Sequence, residues 1–229
     1  MLAAIETTGD TCGVALFDGN TLRAELHVEL PRSHDRLLAH LFQQMLEIAG
    51  ATPKDVGQYA VSVGPGSFTG IRIGLSFAIG AALATGGTVI PVPTLDAVAY
   101  NVRYLGGVSH RTRVVALIPA GRNGLYAGLY EIHPEFKRLT ETRTIPVSQI
   151  PPLLDENVFA AGPGAAAIEG SLVDCVAIDS ERLTAQAVGR HGLYLHYHGV
   201  GSSPKDVRPL YISDFTPVVK QSAIVNRKS

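Results

Sequence analysis

The chain has 229 residues, a formal net charge of −1 and a pI near 6.7. Apolar residues make up 46% and charged residues 17%, below the roughly 25% usual in globular domains, which excludes disorder as the main state and predicts some surface buried against another protein. Near-neutral charge argues against a free-standing nucleic-acid binder, and two cysteines without a CxxC, Cys12 and Cys175, exclude a disulfide scaffold or a cysteine zinc site.

In chain order, Leu2 to Glu6 and Cys12 to Phe17 are apolar runs of strand length. Asp18-Gly19-Asn20 is a tight-turn signal. Leu22, Ala24, Leu26, Val28 and Leu30 alternate with polar residues, the period of a half-buried strand, and Pro31 ends it. Ser33 is a candidate cap for a helix carrying Leu38, Leu41, Phe42, Met45, Ile48 and Ala49, with Gly50 placed to end it. Thr52-Pro53 opens a short helical turn, and Tyr59 to Val63 is a strand. The loop Gly64-Pro65-Gly66-Ser67 leads into a helix from Phe68 to Thr85, followed by a strand from Thr88 to Val92. This order is βββαβαβ.

Thr94 is expected to cap a helix reaching Tyr104. The Gly106-Gly107 loop and the basic stretch His110 to Arg113 mark a boundary between a lobe over 1–105 and a second over 106–229. Arg113 to Ile118, Leu125 to Ile132, Val158 to Ala161 and Val173 to Ile178 read as strands, and Thr184 to Tyr197 as a helix. A strand enters Gly-Pro-Gly at Val63 to Gly66 and again at Ala161 to Gly164, a hint of two related halves. The basic end, Asn226 to Ser229, is expected to be mobile. The N-terminus has no signal-peptide pattern, and Ile73 to Ala84 is about half the length that spans a bilayer, so a cytoplasmic location without membrane contact is expected.

Two loops could carry chemistry. In Val61-Ser-Val-Gly-Pro-Gly-Ser-Phe-Thr-Gly70, a strand hands over to a helix N-terminus, where backbone N–H groups and the helix dipole favour an anion. Gly64, Gly66, Ser67, Thr69 and Gly70 are the candidate phosphate-binding residues. The P-loop and Rossmann patterns are both absent, and local chemistry leaves phosphate binding and a plain turn equally open. The turn from Glu6 to Gly13 is dense in hydroxyls, with Glu6 and Asp10 as its only carboxylates. It could hold phosphate and metal, or be an ordinary hairpin. His34 and His40 fall on different helix faces, and His191, His196 and His198 have no carboxylate or thiolate set nearby in sequence, so no metal site is assigned. No GxSxG elbow supports a protease.

The two helices of the first lobe are apolar over too wide an arc for one contact. In the second, Gly70, Gly74, Ala78 and Ala82 form a small stripe beside Ile71, Leu75, Ile79 and Leu83. In the first, Leu37 and Leu46 lie outside the main stripe. A partner interface is therefore expected through Leu37, Leu38, Leu41, Phe42, Met45, Ile71, Gly74, Leu75, Ala78, Ile79 and Ala82.

Through IETTGDTCGVAL, SHDRLLAHLFQQML and above all GPGSFTGIRIG, residues 1 to about 100 resemble the TsaB (YeaZ) family of bacterial tRNA threonylcarbamoyladenosine synthesis. The resemblance implies an α/β fold of the actin-like ATPase (ASKHA, ribonuclease H-like) class, with two related lobes, each a mixed sheet flanked by helices. It implies a non-catalytic subunit that pairs with a TsaD-type threonylcarbamoyl transferase through the two first-lobe helices. It further implies a homodimer when alone, a TsaE-type ATPase as third subunit, tRNA reached only indirectly, and weak or absent nucleotide binding with no required cofactor. The catalytic relative's His-x-x-x-His metal pair is missing, because Leu38 follows His34 by four positions. The second lobe departs from the family pattern at Pro119-Ala120-Gly121, at Gly124-Leu125-Tyr126, and after Pro209 and Tyr211, where Ile212 and Ser213 follow. The alternative reading is a small actin-fold phosphotransferase or ATPase using the two loops.

Overall fold

The structure is a computed structural model, and it describes residues 1–29, 33–104, 113–121, 124–150, 158–171 and 183–212. The first sheet is formed by β1 (Leu2–Glu6), β2 (Thr11–Asp18), β3 (Thr21–Glu29), β4 (Gln58–Gly64) and β5 (Thr88–Pro93), in the order β3-β2-β1-β4-β5. β1 pairs antiparallel with β2 and parallel with β4. Both faces of the inner strands are covered, which is why β1 and β2 are continuous apolar runs. β3, at the edge, alternates as expected.

The two-residue period sorts the core. Ala3 and Ile5 point to one face, where α1 (His34–Ala49) and α2 (Phe68–Thr85) pack. Leu2 and Ala4 point to the other, which α3 (Thr94–Asn101) and α4 (Ala185–Tyr197) cover. α4 comes from the far end of the chain, and its glycines let it lie flat on this sheet. A methyl at Gly189 would overlap the Phe17 ring, and one at Gly192 would come within 2.5 Å of Ala60 Cβ. Thr184 Oγ1 caps α4 by accepting from Ala187 N at 3.1 Å, while Glu25 Oε1 of β3 accepts from Gln186 N at 2.8 Å. The region expected as a second lobe therefore sends its last helix back onto the first sheet.

The second sheet holds β6 (Arg113–Pro119), β7 (Gly124–Glu131), β8 (Lys137–Arg138), β9 (Arg143–Pro146) and β10 (Val158–Ala161). Its order is β10-β6-β7-β8, with β9 also on β7. β6 pairs antiparallel with β7 and parallel with β10, the arrangement of β1 with β2 and β4. The Gly-Pro-Gly echo is structural as well. Ser67 N donates to Thr8 O at 2.7 Å beyond β1, and Gly164 N donates to Leu117 O at 3.0 Å on β6. After α4 the chain runs back across the first lobe. Ser202 bridges Val89, Leu210 N donates to Val63 O at 2.7 Å, and the Tyr211 ring stacks on Phe68 with centroids 5.1 Å apart.

Some local expectations need correction. Ser33 precedes α1 without a side-chain cap bond, and its Oγ instead accepts from Arg36 Nη2 at 3.2 Å. Thr94 is the first residue of α3 rather than its cap, and the helix ends at Asn101 before a 3-10 turn over Val102–Tyr104. The short turn at Pro53–Asp55 is as expected, with Asp55 Oδ2 accepting from Thr52 N at 2.8 Å. The stop at Pro31, the boundary loop at Gly106-Gly107, the strand from Val173 to Ile178, Cys175 and the basic tail lie outside the described residues.

Candidate functional site

The loops that follow β1, β4 and β10 converge on one cleft of about 1040 Å³. One wall is Thr8 to Thr11 with Gly66, Ser67, Thr69 and Gly70, and the facing wall is Ile118, Pro119 and Pro163. The structure thus brings together the two loops singled out in the sequence and sets the second lobe's Gly-Pro-Gly loop opposite them. Of the five phosphate candidates, all but Gly64 line the cleft.

The chemistry of that cleft differs from the expectation for a phosphotransferase. Glu6 does not face it. Its carboxylate is buried and accepts from Thr8 N, Thr8 Oγ1 and Ser62 Oγ. Burial pushes the Glu6 carboxyl up to about 7, against the lowering effect of those donors, and among the described residues no cation offsets the charge. The carboxylates that do line the cleft are Asp10, Glu29 and Asp35, and among its described lining residues there is no lysine or arginine. The loop's own donors are partly consumed as well. Ser67 N is taken by Thr8 O, Gly70 N donates to Ser67 Oγ at 3.2 Å, and Thr7 Oγ1 donates to Gly70 O at 2.8 Å. His34 stands buried at the cleft wall with Nε2 unpartnered, and His40 is exposed.

The small stripe of α2 is explained by the same loop. A methyl at Gly70 would overlap Thr7 O, and one at Gly74 would overlap Thr7 Oγ1. Gly70 and Gly74 therefore seat the β1 loop against α2, while Ala78 and Ala82 pack in the core of the first lobe. Nine of the eleven interface candidates are buried in the free chain: Leu38, Leu41, Phe42, Met45, Ile71, Gly74, Leu75, Ala78 and Ala82. Only Leu37 and Ile79 remain half-buried. The apolar surface actually presented is one step round each helix. On α2 it comprises Phe68, Leu83 at 57% exposure, and the half-buried Ile73 and Phe77; on α1 it is Ile48 at 67%. By length and composition α2 could cross a bilayer, but its inner face is packed on the sheet as a core helix.

A second polar cluster escaped the sequence reading. Asp96 of α3 accepts two bonds from Arg138 Nη2, at 2.6 and 2.7 Å, and one from Tyr130 Oη at 2.8 Å. His191 Nε2 lies 3.8 Å from Asp96 Oδ2, with the imidazole buried. Burial opposes ionisation of Asp96, yet His191 and Arg138 hold its carboxyl below the usual range. These groups tie α3 and α4 to β7 and β8, a structural role. Of the other histidines, His196 contacts Gln58 Nε2 at 2.9 Å through its Nε2, and His198 Nδ1 lies 2.8 Å from Tyr194 O.

Residues 28–153 match the family model of tRNA N6-adenosine threonylcarbamoyltransferase, TsaD. The tRNA threonylcarbamoyladenosine biosynthesis protein TsaB of Escherichia coli (strain K12) is 37% identical over 131 residues, 57% of this chain and 54% of that protein. The protein of the same name from Bacillus subtilis (strain 168) is 30% identical over 130 residues, 57% of this chain and 55% of that protein. The chain thus spans about half the length of these curated relatives. The solved structure of YeaZ from Pseudomonas aeruginosa superimposes with a TM-score of 0.80 at 27% identity, covering 92% of this chain and 99% of that one. Two mixed sheets flanked by helices, with related strand order, make this the actin-like α/β architecture expected from the sequence.

Proposed function

The chain belongs to the TsaB (YeaZ) family, and from that membership we propose that it is a non-catalytic subunit of tRNA threonylcarbamoyladenosine synthesis. It pairs with a TsaD-type threonylcarbamoyl transferase in the cytoplasm and is joined there by a TsaE-type ATPase. The observation that carries the pairing is the outer face of α2. Phe68, Ile73, Phe77, Ile79 and Leu83 leave apolar surface in water, and Arg72 is the one charge on that helix. Without the transferase, the same face supports a homodimer. Pairing acts on the transferase only as far as the bound conformation is favoured over the free one.

The cleft supports the non-catalytic reading. Among the described residues the cleft presents Asp10 and Asp35 and no lysine or arginine, which disfavours a polyphosphate, and Glu6 is turned into the core, away from any metal that would accompany one. On this reading nucleotide binding is weak or absent. The test is charge placed on the presented face. Leu83→Glu should abolish co-purification with the same organism's TsaD-type protein while leaving the circular dichroism spectrum unchanged. Leu75→Glu and Leu41→Glu, which the sequence alone would favour, sit in the core and would report unfolding instead. Undiminished pairing in the Leu83 variant would remove this interface.

A further inference from the structure

The surface formed by α3, the turn Val102–Tyr104 and α4 contains a single carboxylate, Asp96, and that one is buried against Arg138. Arg103 and Arg190 lie on the same surface, and among the described residues neither has a carboxylate partner. Arg190 Nη1 donates to Asn101 Oδ1 at 2.8 Å and Arg103 Nη2 to Pro134 O at 3.5 Å, and both guanidiniums also lie over rings. The Arg190 guanidinium lies over Tyr104 at 4.4 Å and that of Arg103 over Tyr100 at 5.5 Å. Four of the chain's eight tyrosines are here. Ring centroids run from Tyr104 to Tyr100 at 5.8 Å, on to Tyr194 at 5.0 Å and to His198 at 4.1 Å. Core packing does not account for the two ends of the surface, because Tyr104 is 53% and Tyr197 63% exposed. Positions 190 and 197 are about 10 Å apart along α4 at 1.5 Å per residue.

We propose that this surface binds RNA in a single-stranded or looped form. Exposed planar rings offer stacking platforms to unpaired bases, and guanidiniums that no described carboxylate neutralises attract the phosphates between them. The carboxylates nearest this surface are the buried Asp96, which Arg138 neutralises, and Glu135, next to the Pro134 carbonyl that Arg103 contacts. The choice of RNA among polyanions rests on the tRNA-modification reading, while the platform rests on its own geometry. Direct contact also goes beyond the sequence-based expectation that tRNA is reached only through a partner.

The experiment is a fluorescence-anisotropy titration of a labelled tRNA transcript with the full chain alone, at several salt concentrations. Tyr197→Ala and Tyr104→Ala should each weaken binding about tenfold, the loss of one base stack. Tyr197→Phe, which keeps the ring, should retain wild-type affinity. Arg190→Gln should reduce the salt slope by roughly 0.7 to 0.9, the contribution of one phosphate contact. No binding by the wild type, or equal binding by all variants, overturns the proposal. Variants that keep RNA affinity but lose assembly with a TsaD-type protein overturn it too, and mark the surface as a protein contact. Because the titration uses the chain alone, failure of the pairing reading leaves its result intact.

Discussion

Glu6→Gln is the substitution whose effect can be worked furthest from the structure. The wild-type carboxyl is wholly buried, and burial raises it from 4.5 to about 7. Below pH 4.5 it is protonated in both folded and unfolded chains and contributes no pH dependence. Between 4.5 and about 7 the folded chain keeps the proton that the unfolded chain has lost. Stability must therefore fall as pH rises across that window, at about 1.4 kcal/mol per pH unit, or roughly 3 kcal/mol in all. Glutamine preserves the local bonding. Its Oε1 can accept from Thr8 N and Thr8 Oγ1, and its amide can donate to Ser62 Oγ, which is free to rotate. Urea unfolding at pH 5, 6, 7 and 8 should show the two proteins close together at pH 5. The variant should then become the more stable by about 2–3 kcal/mol at pH 8, with unchanged m-values. A variant less stable than wild type at pH 8 would refute the reasoning, because Glu6 would then be a stabilising anion suited to hold a cation.

Gly74→Ala should destabilise by roughly 1–3 kcal/mol by driving a methyl into Thr7, whereas Gly80→Ala, with open space at its Cβ, should stabilise by roughly 0.5–1 kcal/mol; thermal unfolding separates them. Asp96→Asn should cost about 2–3 kcal/mol, since it leaves Arg138 without its anion, and coupling with Tyr130→Phe should appear in a double-mutant cycle. The same Asp96 bonds make a stability contribution that is present above pH 3.8 and lost as pH falls through the lower folded value, so acid unfolding of the Asn variant should be less steep. Titration calorimetry with Mg-ATP should give no saturable heat at micromolar concentrations, and a micromolar Kd would revive the phosphotransferase reading.

Local pattern reached the elements but not always their faces. The bounds of α2 were legible because Ser67 precedes it and Gly86, at φ 72°, ends it. Which of its stripes lies inward was not legible. A helix apolar over most of its circumference has no preferred face in sequence, and the small stripe is seated by Thr7, more than sixty positions away. α4 was legible as a helix over Thr184 to Tyr197. Its return to the first sheet was signalled only by Gly189 and Gly192, whose meaning depends on Phe17 and Ala60 lying beneath them. The cleft was half legible, since both of its first-lobe loops stood out by composition. The inward turn of Glu6 depends on Ser62 of β4, which no local window contains. Asp96, Tyr130, Arg138 and His191 come together only through the packing of α3 and α4 on the second sheet.

Pairing with a transferase is the claim on which the functional account stands, and molar mass by light scattering across a gel-filtration peak tests it most directly. The chain alone should elute as a homodimer and, mixed with the same organism's TsaD-type protein, convert to a heteromeric species, with Leu83→Glu monomeric and unresponsive. A wild-type monomer that ignores the TsaD-type protein would contradict the account.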